Sequence, residues 1–266
     1  MPITWDPQQY ARFAGHRERP FFDLTSRIDA DAPDRVVDLG CGAGPLTLHL
    51  AQRWSGARVV GVDSSPPMIE QARDADPDGR VEWVEADLVT WRAEAPVDVL
   101  VTNAALQWVP THLDLLPRLI DQVAPGGWFA MQVPGNFDAP AHALLRDVAA
   151  RMPRADELVP RFRGAYAVAE PTAYAAVLAD AGMEVDVWET TYLQMLDPQG
   201  LQADPVLEWT KGTALRPVLE VLTGEQERTE FMTAYAESLR QAYPRQRHGT
   251  PFPFRRIFAV GHRREG

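Results

Sequence analysis

Between residues 35 and 134, short apolar runs alternate with segments of helical period, a pattern that predicts a parallel sheet carrying helices on its faces. Val36–Leu39, Arg58–Asp63, Val81–Asp87 and Val97–Asn103 read as strands, and Val123–Val133 reads as a turn followed by a fifth. Ser65 is placed to cap a helix, with Pro66 at its first position. Farther on, Met183–Tyr192 alternates with period two and Arg256–His262 offers a last strand. Some sixty residues between them are mostly helix-like, notably Gly224–Tyr243, and the Pro/Arg stretch Arg151–Arg163 reads as a mobile connector.

The junction after the first strand carries the chemistry. Asp38-Leu39-Gly40-Cys41-Gly42-Ala43-Gly44-Pro45 is a strand end, a glycine turn and a helix start. Glycines without Cβ atoms let the backbone turn tightly and let a ligand lie against it. The second strand ends in Asp63, nineteen residues beyond Gly44, and an acid at that separation accepts hydrogen bonds from ribose hydroxyls in doubly wound folds. A nucleoside-bearing cofactor follows. The spacing is G-x-G-x-G, not the G-x-G-x-x-G of dinucleotide sites, which disfavours a nucleotide-dependent oxidoreductase. With its leading acid the turn resembles motif I of class I S-adenosylmethionine-dependent methyltransferases, whose cofactor is cationic and has no phosphate. That resemblance implies a Rossmann-like α/β fold with a seven-stranded, mostly parallel sheet, one strand antiparallel, and a mainly helical substrate lid. It also implies a carboxylate, Asp87, near the adenine amino group.

Composition narrows the function. The net charge of −11 argues against nucleic acid as a partner, because phosphate binding needs basic surface. No apolar run approaches the roughly 20 residues of a membrane span, and the first residues lack the basic and apolar regions of a signal peptide. The single cysteine, Cys41, excludes an internal disulfide and reads as a small residue in a crowded turn. A cytoplasmic, small-molecule enzyme is the expectation. His16, His49, His112 and His248 show no metal-ligand spacing, so no metal is expected.

A closer resemblance rests on motifs spread along nearly the whole chain. Trp5-Asp6-Pro7, Tyr10, Phe13-Ala14 and Arg17-x-Arg19-Pro20 precede the glycine turn; Asn103-Ala104-x-Leu106-Gln107-Trp108, Met131-Gln132-Val133-Pro134-x-Asn136 and His142-x-Leu144-x-Arg146 follow it. Trp188-x-Thr190-Thr191-Tyr192, Trp209-x-x-Gly212-Thr213, Leu215-Arg216-Pro217 and Phe254-x-Arg256-Ile257-Phe258 complete the set. Together they resemble the trans-aconitate 2-methyltransferase family, a bacterial family that esterifies one carboxylate of a tricarboxylate. Residues around Ala155–Ala169 and Arg245–Pro253 follow the family pattern poorly, so reaction type is better supported than substrate range.

The resemblance implies S-adenosylmethionine held by Tyr10, Arg19, Asp38, Gly40, Gly42, Gly44, Asp63, Ser64, Met68, Asp87, Leu88 and Asn103. Trp108, Arg146, Arg216 and Arg256 are the candidates for substrate, since guanidinium groups pair with carboxylates through two hydrogen bonds. A carboxylate is already ionised at pH 7, so no general base is required, and Gln107, His142 and Tyr192 are candidates only for positioning. Trp188 and Phe258 are assigned to the core. The expected division is an N-terminal segment, 1–30, over the cofactor; a core of 31–193 and 254–266; and a helical lid, 194–253. Another small acid or natural product as methyl acceptor, or a non-catalytic cofactor-binding protein, stays open, and so does the oligomeric state.

Overall fold

The computed structural model describes residues 14–162 and 167–265, with side chains described from residue 18 onward. Seven strands form one sheet: β1 (Arg35–Leu39), β2 (Arg58–Asp63), β3 (Val81–Glu85), β4 (Val97–Asn103), β5 (Val123–Pro134), β6 (Met183–Leu196) and β7 (Thr250–Arg263). Their spatial order is β3-β2-β1-β4-β5-β7-β6. The first five pair in parallel and β7 runs antiparallel to β5, the α/β arrangement expected from the sequence. Val36, Val37 and Leu39 of β1 and Val99, Leu100 and Val101 of β4 are all buried, as central parallel strands covered on both faces must be.

The helices are α1 (Ala14–Thr25), α2 (Pro45–Arg53), α3 (Pro66–Asp74), α4 (His112–Ile120), α5 (Pro140–Ala149), α6 (Ala155–Leu158), α7 (Pro171–Asp180), α8 (Pro205–Lys211), α9 (Arg216–Val221) and α10 (Glu225–Ala242). Proline opens six of them at their first position, where its missing N–H costs nothing, or directly after it. Among the described residues no helix is long and apolar enough to cross a membrane.

The chain divides into two compact units. Among the described residues the sheet unit comprises 18–134, 168–190 and 256–265; the helical unit comprises 14–17, 135–162, 167 and 191–255. This division differs from the expected one chiefly at residues 18–30 and at the segment that follows β5. Residues 18–30 join the sheet unit, because Phe21 and Leu24 of α1 and the following Ile28 are buried within it. Residues 135–162 join the helical unit. There α5 buries Ala141, Leu145 and Val148 in one apolar cluster with Phe231, Tyr235 and Leu239 of α10. Two tyrosines pin the backbone of one residue: Tyr235 donates its hydroxyl to the Ala141 carbonyl at 2.9 Å, and Ala141 N–H donates to the Tyr243 hydroxyl at 3.0 Å. The Arg151–Arg163 stretch, read as a connector, is also built in as far as residue 162. Leu158 is fully buried, and Arg154 pairs with Glu157 at 2.6 Å while donating to the Val221 carbonyl at 3.0 Å.

His112 is structural. Its Nδ1 lies 3.0 Å from the Val109 carbonyl and its Nε2 lies 2.8 Å from the Tyr174 hydroxyl, which also accepts from Ala169 N–H at 3.1 Å. Burial pushes its pKa down, so the neutral ring with Nδ1–H as donor satisfies every partner. Among the described residues no group of three or more His, Cys, Asp or Glu is disposed to hold a metal ion.

Candidate functional site: the carboxyl edge of the sheet

The strand order reverses between β1 and β4, and the crevice that opens at such a point is where open α/β sheets take ligands. Gly40 leaves β1 there with φ +81°, and a Cβ on it would fall onto the Ala105 methyl. The glycine is therefore required by protein packing at the switch point itself. Gly44 is crowded too, by the Trp83 ring and Ala72. Only Gly42, at φ +57°, has open space where its side chain would be. The sequence expectation that all three glycines free the backbone for a ligand therefore narrows to Gly42.

Hydrogen bonding within the turn decides what it can hold. The N–H groups of Gly40 and Cys41 both donate to the Val62 carbonyl, at 2.7 and 3.0 Å, and Gly44 N–H donates to the Cys41 carbonyl at 3.2 Å. Gly42 N–H donates to Asp63 Oδ2 at 2.9 Å. A phosphate cradle needs such amides turned outward. Here four are spent inside the protein, which fits a cofactor without phosphate.

Asp63 is a clasp as well as a ribose candidate. Besides Gly42 it accepts Ser65 N–H on Oδ1 at 2.9 Å, tying the glycine turn to the start of α3. Ser65 occupies the expected N-cap position, but its own side chain makes no capping bond; Asp63 serves that end instead. Each carboxylate oxygen has a second lone-pair direction, so two hydroxyls can still be accepted. Strand β3 ends at Glu85, two residues earlier than expected, and Ala86 N–H donates to the Asp63 carbonyl at 3.0 Å. That bond sets exposed Asp87 beside Asp63; its Oδ1 accepts Val89 N–H at 2.8 Å. Arg118 of α4 holds this loop by donating to the carbonyls of Leu88, Val89 and Trp91. Nothing in the local sequence pointed to Arg118, which lies thirty residues away from Leu88.

Asp38 is buried at the end of β1, with Oδ2 accepting the Thr47 hydroxyl at 2.6 Å. Burial, opposed by that bond and reinforced by the Asp63 charge, pushes its pKa up to about 6. An ammonium group placed beside it would relieve the cost. The same burial, with both carboxylates adding, pushes the Cys41 thiol well up, so it stays protonated and is no nucleophile.

A stability prediction follows with a definite sign. The folded protein binds a proton at Asp38 that the unfolded chain has released, so this group's contribution is lost as pH rises from about 4 through about 6. The loss is of the order of 3 kcal/mol. Asp38→Asn, which still accepts from Thr47, is expected to lack that decline and to be more stable than wild type at pH 7.5. Urea unfolding at pH 4.5 and 7.5 on both proteins tests this; parallel pH profiles would reject it.

Beyond β4 the chain turns through Ala104, a non-glycine residue at φ +53°. Its N–H donates to the Gln132 carbonyl at 2.9 Å, and its own carbonyl accepts Gln107 Nε2 at 2.5 Å. Gln107, a positioning candidate by sequence, thus holds the backbone of the switch-point loop. Trp108 closes the short 3-10 turn of that loop with its side chain partly exposed, and Asn103 Oδ1 is buried with no hydrogen-bond partner among the described residues.

A methyltransferase-domain family model matches residues 13–186. A trans-aconitate 2-methyltransferase of Streptomyces coelicolor is 51% identical over 270 residues, covering 99% of this chain and 88% of its own. The protein of that name from Rhodococcus jostii is 51% identical over 259 residues, covering 96% of this chain and 98% of its own. The chain belongs to the trans-aconitate 2-methyltransferase family. Its fold is also that of the YcgJ protein from Bacillus subtilis, with a TM-score of 0.59 at 15% identity over 95% of this chain and all of that one.

The remaining family-implied residues fall in different places. In the sheet unit, Ser64 is exposed, Met68 and Leu88 are half-buried, and Arg19 lies on α1 beside Asp23 at 3.7 Å with most of its side chain exposed. Tyr10 lies outside the described residues, as do residues 1–13 of the segment expected to cover the cofactor. Arg256 is 6% exposed on β7 and donates through Nη1 to Gln132 Oε1 at 3.4 Å. In the helical unit, Arg146 donates to the Phe137 carbonyl at 2.9 Å, the His142 ring tilts against Phe137, Tyr192 is buried and Arg216 opens α9 half-buried. Phe258 is core as expected; Trp188 stacks flat on it at 4.7 Å and carries the Arg27 guanidinium over its ring.

Proposed function

We propose that this chain transfers the methyl group of S-adenosylmethionine to a carboxylate of trans-aconitate, giving a monomethyl ester and S-adenosylhomocysteine. The observation that carries the reading is the closed hydrogen bonding of the glycine turn, with Asp63 and buried Asp38 around it: the site suits a cationic nucleoside and not a phosphate. Membership in the family supplies the acceptor. When bound, the cofactor supplies a methyl group on a cationic sulfur.

The chain's own residues then bind and orient. Asp63 accepts the ribose hydroxyls, Asp87 the adenine amino group, and Asp38 with Asn103 Oδ1 the ammonium. Substrate carboxylates are ionised at pH 7 and need no base. What the protein must supply is alignment, which can be worth about 7–11 kcal/mol. Arg256 takes a non-reacting carboxylate. Arg146 and Arg216 are candidates for the same task, decided by the kinetic test applied to Arg256 below.

The test is to incubate the protein with methyl-labelled S-adenosylmethionine and a panel of di- and tricarboxylates, followed by mass analysis. Labelled trans-aconitate monoester as the main product is expected. Label in another acid would reassign the acceptor, and cofactor binding without any product would make this a binding protein.

A further inference from the structure

The sheet register places five side chains on one face along the carboxyl edge of the sheet unit. Asp38 pairs with Gly61 on one side and Val101 on the other, so Asp63 and Asn103, each two residues on, share its face. Asn103 pairs with Gln132, and Gln132 pairs with Phe258, which puts Arg256, two residues before it, on that face as well. Read across β2, β1, β4, β5 and β7, the row is Asp63, Asp38, Asn103, Gln132, Arg256. The first three present acceptors to this edge. At Gln132 the chemistry changes sign.

Gln132 is 1% exposed, and its amide has only one orientation open to it. Arginine has no acceptor, so the atom facing Arg256 Nη1 at 3.4 Å must be Oε1. That turns Nε2 away from Arg256, and Nε2 is buried with no partner among the described residues. On the neighbouring strand, Asn103 Oδ1 is an orphan of the opposite kind. An orphan acceptor and an orphan donor thus belong to paired residues on adjacent strands, whose backbones run about 4.8 Å apart. Leaving a buried amide N–H unpaired is costly, and such groups in native structures call for an explanation, of which a bound ligand is one.

We propose that Gln132 recognises the substrate: its Nε2 donates to an oxygen of the carboxylate that is methylated, while Arg256 holds the amide in that orientation through Oε1. This rests on the methyl-transfer reading above. A neutral amide suits this position. It fixes the carboxylate without drawing charge from the attacking oxygen as a guanidinium would, so the strong cation is kept one strand farther out.

Two variants of nearly equal volume separate this role from a structural one. Gln132→Met removes the donor and is expected to lower kcat/KM for trans-aconitate about ten- to a hundred-fold, with the dissociation constant for S-adenosylmethionine within about two-fold of wild type. Gln132→Glu puts a carboxylate against Arg256, strengthening that contact but repelling the substrate. It is expected to be the worse enzyme of the two while unfolding no more easily than wild type. If Gln132 only propped Arg256, Gln132→Glu would be the better one. Gln132→Met at wild-type kcat/KM, or Gln132→Glu at least as active as Gln132→Met, overturns the assignment. A wild type that binds S-adenosylmethionine but esterifies no carboxylate overturns the proposed function and this assignment with it.

Discussion

Asp63→Ala is expected to weaken S-adenosylmethionine binding by about ten- to two-hundred-fold, the equivalent of about 1.5–3 kcal/mol for one charged hydrogen bond, and by more if both ribose hydroxyls are lost. The effect has two sources that a second variant separates. One is the loss of acceptors for the cofactor. The other is release of the clasp, because Gly42 N–H and Ser65 N–H both donate to this carboxylate and would be left without it. Asp63→Asn keeps an oxygen for one of those amides but turns an NH2 toward the other. It is therefore expected to lie between wild type and Asp63→Ala in affinity. Titration calorimetry gives the affinities, and circular dichroism reports whether the sheet unit stays folded. Unchanged affinity in a folded Asp63→Ala protein would remove Asp63 from the cofactor site.

Arg256→Met is expected to raise KM for trans-aconitate by about ten- to a thousand-fold, the range for losing one partner of a desolvated charged contact. Cofactor affinity should change by no more than a few-fold. The reason is electrostatic. A tricarboxylate carries about three negative charges at neutral pH, and a chain of net charge −11 must concentrate positive potential locally to admit it. Arg256 is a buried cation at the opposite end of the row from Asp63 and Asp38. Methionine preserves most of the volume in strand β7. Arg256→Lys keeps the charge but not the planar fork, and should recover only part of the loss. The same measurement on Arg146→Ala and Arg216→Ala decides those two candidates. If Arg256→Met and Arg216→Ala both keep wild-type kinetics, these arginines are structural and the acceptor becomes an unspecified small acid.

Several features of the molecule were legible in local sequence because they obey short-range rules. Strands β1, β2 and β4 are runs whose apolar content demands burial, and α10 lies within one residue of the Gly224–Tyr243 segment read as helical. The glycine turn and its two acids could be read from spacing, since strand, turn and helix start are consecutive in the chain. Family motifs extended that reading to the kind of reaction. The same local signals placed Ser65 correctly at the N-cap but not the capping bond, which Asp63 makes, and they misread Arg151–Arg163, whose prolines and arginines suggested a free connector while Leu158 is buried.

What the chain by itself determined, then, is the order of its elements, the α/β class and the cofactor chemistry, all of which depend on residues near one another in sequence. Tertiary structure alone decided the rest. That Gly40 must be glycine depends on Ala105 across the switch point, and that Gly42 is the open one depends on Trp83 and Ala105 filling the other two. The membership of α5 in the helical unit depends on two tyrosine hydroxyls that reach the backbone of Ala141 from about a hundred residues away. In sequence Gln132 was a polar residue inside an apolar strand and a member of a family motif, with no role attached to it. Its place between Asn103 and Arg256, more than a hundred residues apart, exists only once strand register lines up three chain segments, and register is set by packing over the whole sheet.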